Sequence, residues 1–249
     1  MKYIFIDWSY FQFRAIFSWV KEKTYPPTYR ALSYIVRALK DVEIQREDVV
    51  IFALDCHTGS WRKEIDKNYK ANRKENREKF EIDWEDQYKA FDKFLKNIDE
   101  ATNFYLISLD KMEADDIIAV GCKKFQDHVC IVVSTDSDFE QLVVYPKVKL
   151  FSPMSHKYKE VKNPYKILAN KIAKERTDNL VSPIQSLEDY DRRNKIVNLM
   201  SLPSLVEKIV SERLDVLPEK KMDLSLLYHP SLQERMSTMY SENKQLNLM

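Results

Sequence analysis

The chain has 249 residues, 44% of them hydrophobic and 12% aromatic, with 40 basic and 39 acidic side chains and a formal net charge of +1. That length suits one α/β domain with an appended helical part, or two modest domains, and the apolar content supports a real core. No apolar run approaches the roughly 18 residues of a membrane span, and the only two glycines, Gly59 and Gly121, exclude a P-loop and a GxGxxG dinucleotide fingerprint.

In chain order, YIFID (3–7) reads as a short strand ending in Asp7. It leads into an aromatic stretch and a loop around Pro26 and Pro27. Phe11, Phe13, Phe17 and Trp19 are expected to pack against the sheet. Leu32, Ile35, Val36 and Leu39 fall at helical spacing, and VVIFALD (49–55) is a second strand ending in Asp55. Residues 56–83 are heavily charged and lack an apolar period, so a surface excursion or mobile arch is expected there. Trp84, Tyr88, Phe91, Leu95 and Ile98 define an amphipathic helix. A strand at 104–108, a helix at 113–126 and strands at 129–134 and 148–152 follow. Strands alternating with helices imply an α/β fold with a mostly parallel sheet. From about 164 only helical patterns remain, punctuated by Pro183, Pro203, Pro218 and Pro230. The expected division is therefore an α/β catalytic domain over 1–163 and a helical C-terminal region over 164–249.

The total charge conceals an uneven distribution. Basic residues gather between Arg62 and Lys79, so near-neutrality does not exclude a nucleic-acid partner. Cys56, Cys122 and Cys130 have no metal-ligand spacing and form no disulfide framework, as suits a reducing cytosol. The first apolar stretch meets Asp7 too soon for a signal peptide, so a cytoplasmic location is expected. None of His57, His128, His156 and His229 has a ligand partner in the pattern.

Acidic residues carry the chemistry. EADDIIA (113–119) places Glu113, Asp115 and Asp116 at the start of a helix, and VVSTDSDF (132–139) places Asp136 and Asp138 after a strand. Carboxylates crowded together suppress one another's ionisation unless a cation lies between them, and a hard ion such as Mg²⁺ is the usual answer. A lone Asp at a strand end is ordinarily a cap or turn residue. Asp7 and Asp55, at the ends of two further strands, converge on the same crevice in an open α/β sheet and turn the pattern into a metal site.

The order Asp7, Asp55 followed by WRKEIDKNYKANR, then EADD, then TDSDF resembles the structure-specific 5′ nucleases, which include flap endonucleases and the 5′-nuclease domain of bacterial DNA polymerase I. The resemblance covers roughly 1–210, and the stretches 141–158 and 190–203 are similar to a bacteriophage branch of that family. It implies a PIN-like 5′-nuclease fold, a mostly parallel central sheet flanked by helices. It further implies a two-metal phosphodiesterase using Mg²⁺, with Mn²⁺ substituting, on 5′ flaps or 5′ ends of DNA and on RNA–DNA hybrids. Primer and flap removal in phage DNA replication is the implied role, in the cytoplasm of an infected cell. A single-stranded-DNA-binding protein or a sliding clamp is an implied partner, no membrane is involved, and the protein is expected to be a monomer. Carried over by position, Asp7, Asp55, Glu113, Asp115 and Asp136 surround the first ion. Asp138, Glu175 and Asp178 lie toward the second, and Asp116 matches a further acidic position. Arg62 and Lys70 match catalytic cations acting beside Asp115 and Asp136, and Tyr69 stands where an aromatic can stack on the terminal base. Arg73, Lys74, Arg77 and Lys79 would track the 5′ strand, and Arg14 would touch either a phosphate or a structural carboxylate. The bland alternative for the basic run is a solvated helix paired through Asp66–Lys70 and Glu75–Lys79.

The segment from Lys174 to Asn194 departs from the family pattern. It contains no glycine where a phosphate-gripping turn is normally glycine-rich, and Glu175 replaces the usual Asp. Weaker or differently organised duplex binding follows. A PIN-like ribonuclease and a catalytically weakened nuclease retained as a DNA-binding factor are the alternative readings.

Overall fold

The computed structural model describes residues 1–173, 176–177, 180–181 and 184–241. Six strands form one sheet: β1 (Lys2–Asp7), β2 (Val49–Ala53), β3 (Tyr105–Ile107), β4 (Val129–Val133), β5 (Val148–Ser152) and β6 (Lys157–Lys159), in the order β3-β2-β1-β4-β5-β6. The pairs from β3 through β5 are parallel, and β6 alone runs antiparallel. Asp7 stands opposite Ala53 and Ile6 opposite Val133, so the carboxyl ends of β1, β2 and β4 lie level. The chain leaves β1 toward β2 and β3, then returns to place β4 on the other side. That reversal opens a crevice beyond the ends of β1 and β4, where ligands bind in open α/β sheets.

The helices are α1 (Trp8–Glu22), α2 (Pro27–Asp41), α3 (Arg62–Ile65), α4 (Arg73–Glu78), α5 (Trp84–Ala101), α6 (Ala114–Lys124), α7 (Pro164–Ala173), α8 (Leu187–Val197), α9 (Ser204–Asp215) and α10 (Pro230–Ser241). Alternation along each strand divides the apolar residues between two faces. Ile4, Ile6, Val50, Phe52 and Val133 join a core with Phe11 of α1, Leu32 of α2, Phe91 of α5 and Met236 of α10. Phe5, Ile51, Ala53 and Val132 join a second core with Ile117 of α6 and Val210 of α9. The C-terminal helices α9 and α10 thus complete both layers over the sheet.

Several features differ from the sequence reading. The aromatic stretch after Asp7 is a full helix, because Asp7 caps it by accepting from the Tyr10 N–H at 3.5 Å. The three-residue β6, too short to show a period, adds an antiparallel edge through a turn at His156. The segment 56–83 is not a free excursion in its first half, since Trp61, Arg62 and Tyr69 are buried. Arg176–Thr177 also pairs antiparallel with Leu180–Val181 in a region read as helical. No helix among the described residues is long and apolar enough to cross a membrane.

Close contact between α6 and β1 rests on Gly121. A Cβ there would come within 2.4 Å of two ring atoms of Phe5, whose ring is wholly buried and has nowhere to move. In an exposed helix Gly→Ala gains stability; here overpacking reverses the sign. Gly121→Ala is expected to destabilise the fold by about 1–3 kcal/mol, read as a lower thermal midpoint. Gly121→Ala combined with Phe5→Leu should recover part of the loss, and an unchanged midpoint in Gly121→Ala would contradict this packing.

Candidate active site

The crevice beyond the sheet is a cleft of about 640 Å³, with Asp7, Asp55, Asp115, Asp136 and Asp138 on one wall and Arg14, Lys70, Arg73 and Arg77 around it. Each carboxylate is aimed by its local structure. Asp7 closes β1 and accepts from the Ser134 hydroxyl at 2.6 Å. Asp55, two residues past β2, accepts from Ser9 Oγ at 2.6 Å and from the Ala114 N–H at 2.9 Å, so it also caps α6. Asp136 accepts from the Asp138 N–H at 2.9 Å, and Asp138 is met by the ammonium of Lys171 from α7. The Asp115 carboxylate makes no hydrogen bond among the described residues.

Beneath this wall is a second, closed network. Arg62 is 1% exposed. Its Nη1 donates to Glu113 Oε2 at 2.9 Å and to Asp116 Oδ2 at 3.0 Å, and its Nε donates to the Ile196 carbonyl of α8 at 2.8 Å. Nη2 lies 2.8 Å from Asp116 Oδ1 as an ion pair. Asp116 Oδ2 also accepts from Trp61 Nε1 at 3.0 Å and from the Glu113 N–H at 2.9 Å, closing the first turn of α6. Glu113 further accepts from the Tyr69 hydroxyl at 2.9 Å and from Lys70 Nζ at 2.7 Å. Lys70 adopts the left-handed backbone conformation, φ 55°, uncommon for a lysine, and its Nζ lies 4.9 Å from the Tyr69 ring centroid.

The sequence-derived assignments therefore divide. Asp7, Asp55, Asp115, Asp136 and Asp138 face the cleft with Arg14, Lys70, Arg73 and Arg77. Asp116 turns inward, where Arg62 and Trp61 take up its oxygens, and Glu113 is engaged by three donors. Arg62 is buried instead of facing a substrate, and Tyr69 is 3% exposed, with its ring withdrawn from stacking. Lys70 pairs with Glu113 across the fold, not with Asp66 along a helix. Arg14 makes no ion pair among the described residues; it donates to the Pro153 carbonyl at 3.0 Å and packs over the Tyr34 ring at 4.3 Å. Glu175 and Asp178 lie outside the described residues, as does the side chain of Lys74.

Of the aromatics expected to pack on the sheet, Phe11 does so, whereas Phe13 and Phe17 line the cleft with Phe80 and Trp84. Phe80 is 47% exposed, and the Arg77 guanidinium lies 5.3 Å from the Phe13 ring centroid. The sequence reading also missed Ser9, Ser134 and Lys171. Position alone could have flagged the two serines, one two residues after Asp7 and the other directly after β4.

Electrostatics separate the two layers. Burial pushes the Asp115 carboxyl up to about 8, with Asp136, Glu113 and Asp55 adding to the rise and Lys70 opposing it. Burial likewise raises Asp7 to about 6; the Ser134 hydrogen bond opposes this, and the charges of Asp55 and Asp136 reinforce it. Glu113 goes the other way: burial would raise it, but Lys70 and Arg62 hold it below the ordinary carboxylate range. Negative charge is thus compensated inside, whereas in the cleft only Asp138 has an ion-pair partner among the described residues. Among the described residues no three side chains form a ready-made metal ligand set. The donors are nonetheless all carboxylate oxygens, and apart from Asp138, held by Lys171, none has an ion-pair partner among the described residues, which fits a hard divalent cation that retains part of its water shell. The inner layer carries a stability prediction. Arg62→Ala strands two buried carboxylates and should cost about 3–5 kcal/mol, seen as a large drop in thermal midpoint, while Lys70→Ala costs much less. Equal, small effects from both would contradict the layering.

A family model described as "5′-3′ exonuclease, N-terminal resolvase-like domain" matches residues 2–175. The chain is 36% identical over 117 residues to the ribonuclease H of Enterobacteria phage T4, across 46% of this chain and 38% of that protein's length. It is 26% identical over 225 residues to a 5′-3′ exonuclease of Mycoplasmopsis pulmonis, across 86% of this chain and 72% of that protein. Among solved structures, bacteriophage T5 5′-exonuclease with zinc bound superposes with a TM-score of 0.61 at 16% identity, covering 88% of this chain and 100% of that one. A T5 flap endonuclease variant in complex with DNA and metal ions gives a TM-score of 0.54 at 17% identity, covering 96% and 98%. At those identities the T5 structures speak for the fold, a mostly parallel sheet flanked by helices. The family model spans more than half of the sequence, and the chain belongs to the 5′-3′ exonuclease family through its N-terminal resolvase-like domain.

Proposed function

We propose that the protein is a divalent-metal-dependent 5′-3′ exonuclease and flap endonuclease, hydrolysing phosphodiester bonds near the 5′ ends of branched DNA or RNA–DNA hybrids. The observation that carries this reading is the joining, in one cleft, of a carboxylate wall with Lys70, Arg73, Arg77 and Arg14. Carboxylates alone would repel a phosphodiester, and cations alone would bind it without cutting. Together they suit a metal-assisted phosphodiesterase. The phage T4 relative and the T5 structures support nucleic acid as substrate, and removal of primers and flaps during replication is the role we assign.

Asp7, Asp55, Asp115 and Asp136 would hold Mg²⁺, which when bound supplies Lewis-acid chemistry to a phosphodiester. Asp138, with Glu175 and Asp178, would serve a second ion, and Lys171 must first release Asp138. Ser134 and Ser9 fix the orientation of Asp7 and Asp55 through their hydroxyl hydrogen bonds. Lys70, propped by Glu113 and the Tyr69 ring, presents its ammonium to the cleft, where it offsets charge growing on the phosphate. Arg62 is a positioning residue in this scheme, holding Glu113 and the start of α6. Phe13, Phe17, Phe80 and Trp84 form the apolar wall on which bases can stack and from which water is displaced.

The test is cleavage of a 5′-flap DNA in Mg²⁺, with EDTA as control. Cleavage should require the metal. Outer residues around a metal already cost 10–100-fold when lost, so Asp115→Asn and Asp136→Asn should each lower turnover by at least about 100-fold. Both should keep a wild-type fold. Lys70→Ala should lower kcat by about 10²–10³-fold. Metal-independent cleavage, or wild-type turnover in either Asp variant, would sink this function.

A further inference from the structure

A second pocket lies away from the carboxylates, in the groove between α2 and α10. It encloses about 370 Å³ and is lined by Ser33, Tyr34, Val36, Arg37, Lys40 and Arg235. Ser33, Arg37 and Lys40 fall at i, i+4 and i+7 on α2 and form one stripe along its surface. Arg235 comes from α10, which is pinned in place by Leu232, Met236 and Met239 in the core. No acidic side chain among the described residues lines the pocket. The nearby Asp41 is occupied by His156 at 2.6 Å.

A basic stripe on a helix is ordinarily a solvated face, and two observations set this one apart. Arg37 has no ion pair among the described residues, and Arg235 meets the neutral Tyr29, through its hydroxyl at 3.2 Å and its ring at 5.8 Å. The Ser33 hydroxyl is buried and has no hydrogen-bond partner among the described residues. Buried hydroxyls are nearly always satisfied, so an orphan one on a pocket wall calls for a missing partner. Arg37, Arg235 and the Ser33 hydroxyl, on a wall with no acidic side chain among the described residues, describe a receptor for an oxyanion, and guanidinium groups suit phosphate oxygens in particular. Tyr34 links the pocket to the cleft, because the Arg14 guanidinium that lines the cleft stacks on its ring at 4.3 Å.

We propose that the α2–α10 groove is a phosphate site that holds a backbone phosphate of the nucleic acid whose reacting phosphodiester lies in the carboxylate cleft. The assignment of the phosphate to nucleic acid rests on the nuclease reading above; the site itself does not. Such a contact supplies anchorage outside the reacting centre in a chain that lacks a glycine-rich turn between Lys174 and Asn194.

Two arms test it, on the full chain. In the first, thermal midpoints of metal-free protein are compared in inorganic phosphate and in chloride at equal ionic strength. Phosphate should stabilise the wild type, and Arg37→Gln should abolish that gain. Ser33→Ala should weaken phosphate binding by about tenfold, as expected when one hydrogen bond to a charged group is removed. Its midpoint without phosphate should stay level or rise, because an unsatisfied hydroxyl has gone. In the second arm, affinity for a 5′-flap DNA is measured against salt in Ca²⁺. The double variant Arg37→Gln, Arg235→Gln should lower the log–log salt slope by about 0.9 for each phosphate that is no longer neutralised. A charge-matched control on the exposed side of α5, Lys93→Gln with Lys96→Gln, should leave the slope unchanged. Effects in both arms establish that the groove holds a backbone phosphate. An effect of phosphate alone upholds the site with free phosphate as its ligand and overturns the nucleic-acid assignment. No effect in either arm, or an equal fall in slope for the control, overturns the proposal. Failure of the nuclease reading shows separately, as absence of Mg²⁺-dependent cleavage by the wild type.

Discussion

The buried guanidinium of Arg62 organises the whole site. One side chain joins the segment after β2, the first turn of α6 and the end of α8, through Glu113, Asp116 and the Ile196 carbonyl. A charge so deeply buried is tolerable only when fully paired, and here both carboxylate partners are held by further hydrogen bonds. Its consequence is directional. With Asp116 and Glu113 turned inward and held, α6 starts at a fixed place and in a fixed rotation, and Asp115, between them, faces the cleft.

The same sorting explains how one short motif supplies two opposite environments. Glu113 is stabilised as an anion by Lys70 and Arg62, whereas burial and neighbouring carboxylates push Asp115 toward its protonated form. The inner pair commits its charge to structure, and the outer group is left to ionise when a cation arrives to offset it. Lys70 bridges the layers, anchored on Glu113 and open to the cleft, so a structural ion pair also sets the position of the cation nearest the carboxylates. The strand order places this arrangement at the reversal between β1 and β4, where backbone geometry already leaves a crevice.

Much of this was legible in the sequence. Asp7, Asp55 and Asp136 could be placed because each follows a β-branched or aromatic run, and parallel strands bring such ends together. The inward turn of Glu113 and Asp116 was poorly legible, since a capping box ordinarily pairs Ser or Thr with an acid three residues on, and here Glu113 takes the first position. It was masked by the equally good reading of EADD as a ligand cluster. The burial of Arg62 was not legible. It stands in a charged run that looks solvated, and its partners are 51 and 54 residues away. The aromatic wall escaped for a related reason: at helical spacing Phe13 and Phe17 read as core, and only the packing of α1 against Phe80 and Trp84 shows that they border open space. The short β6 and the pairing of Arg176–Thr177 with Leu180–Val181 are below the length at which a period can appear.

The chemistry of the cleft turns on its carboxylates forming a divalent-cation site, and Mn²⁺ binding followed by electron paramagnetic resonance tests this without any assumption about substrate. Saturable binding to the wild type is expected, competed by Mg²⁺ and weakened by at least about tenfold in Asp115→Asn and in Asp136→Asn, as removal of a direct oxygen donor should do. Asp116→Asn, which alters only the inner layer, should act through stability alone and spare a correctly folded protein's affinity. Equal, weak and non-saturable binding in all four proteins would mean that the cleft is not a metal site.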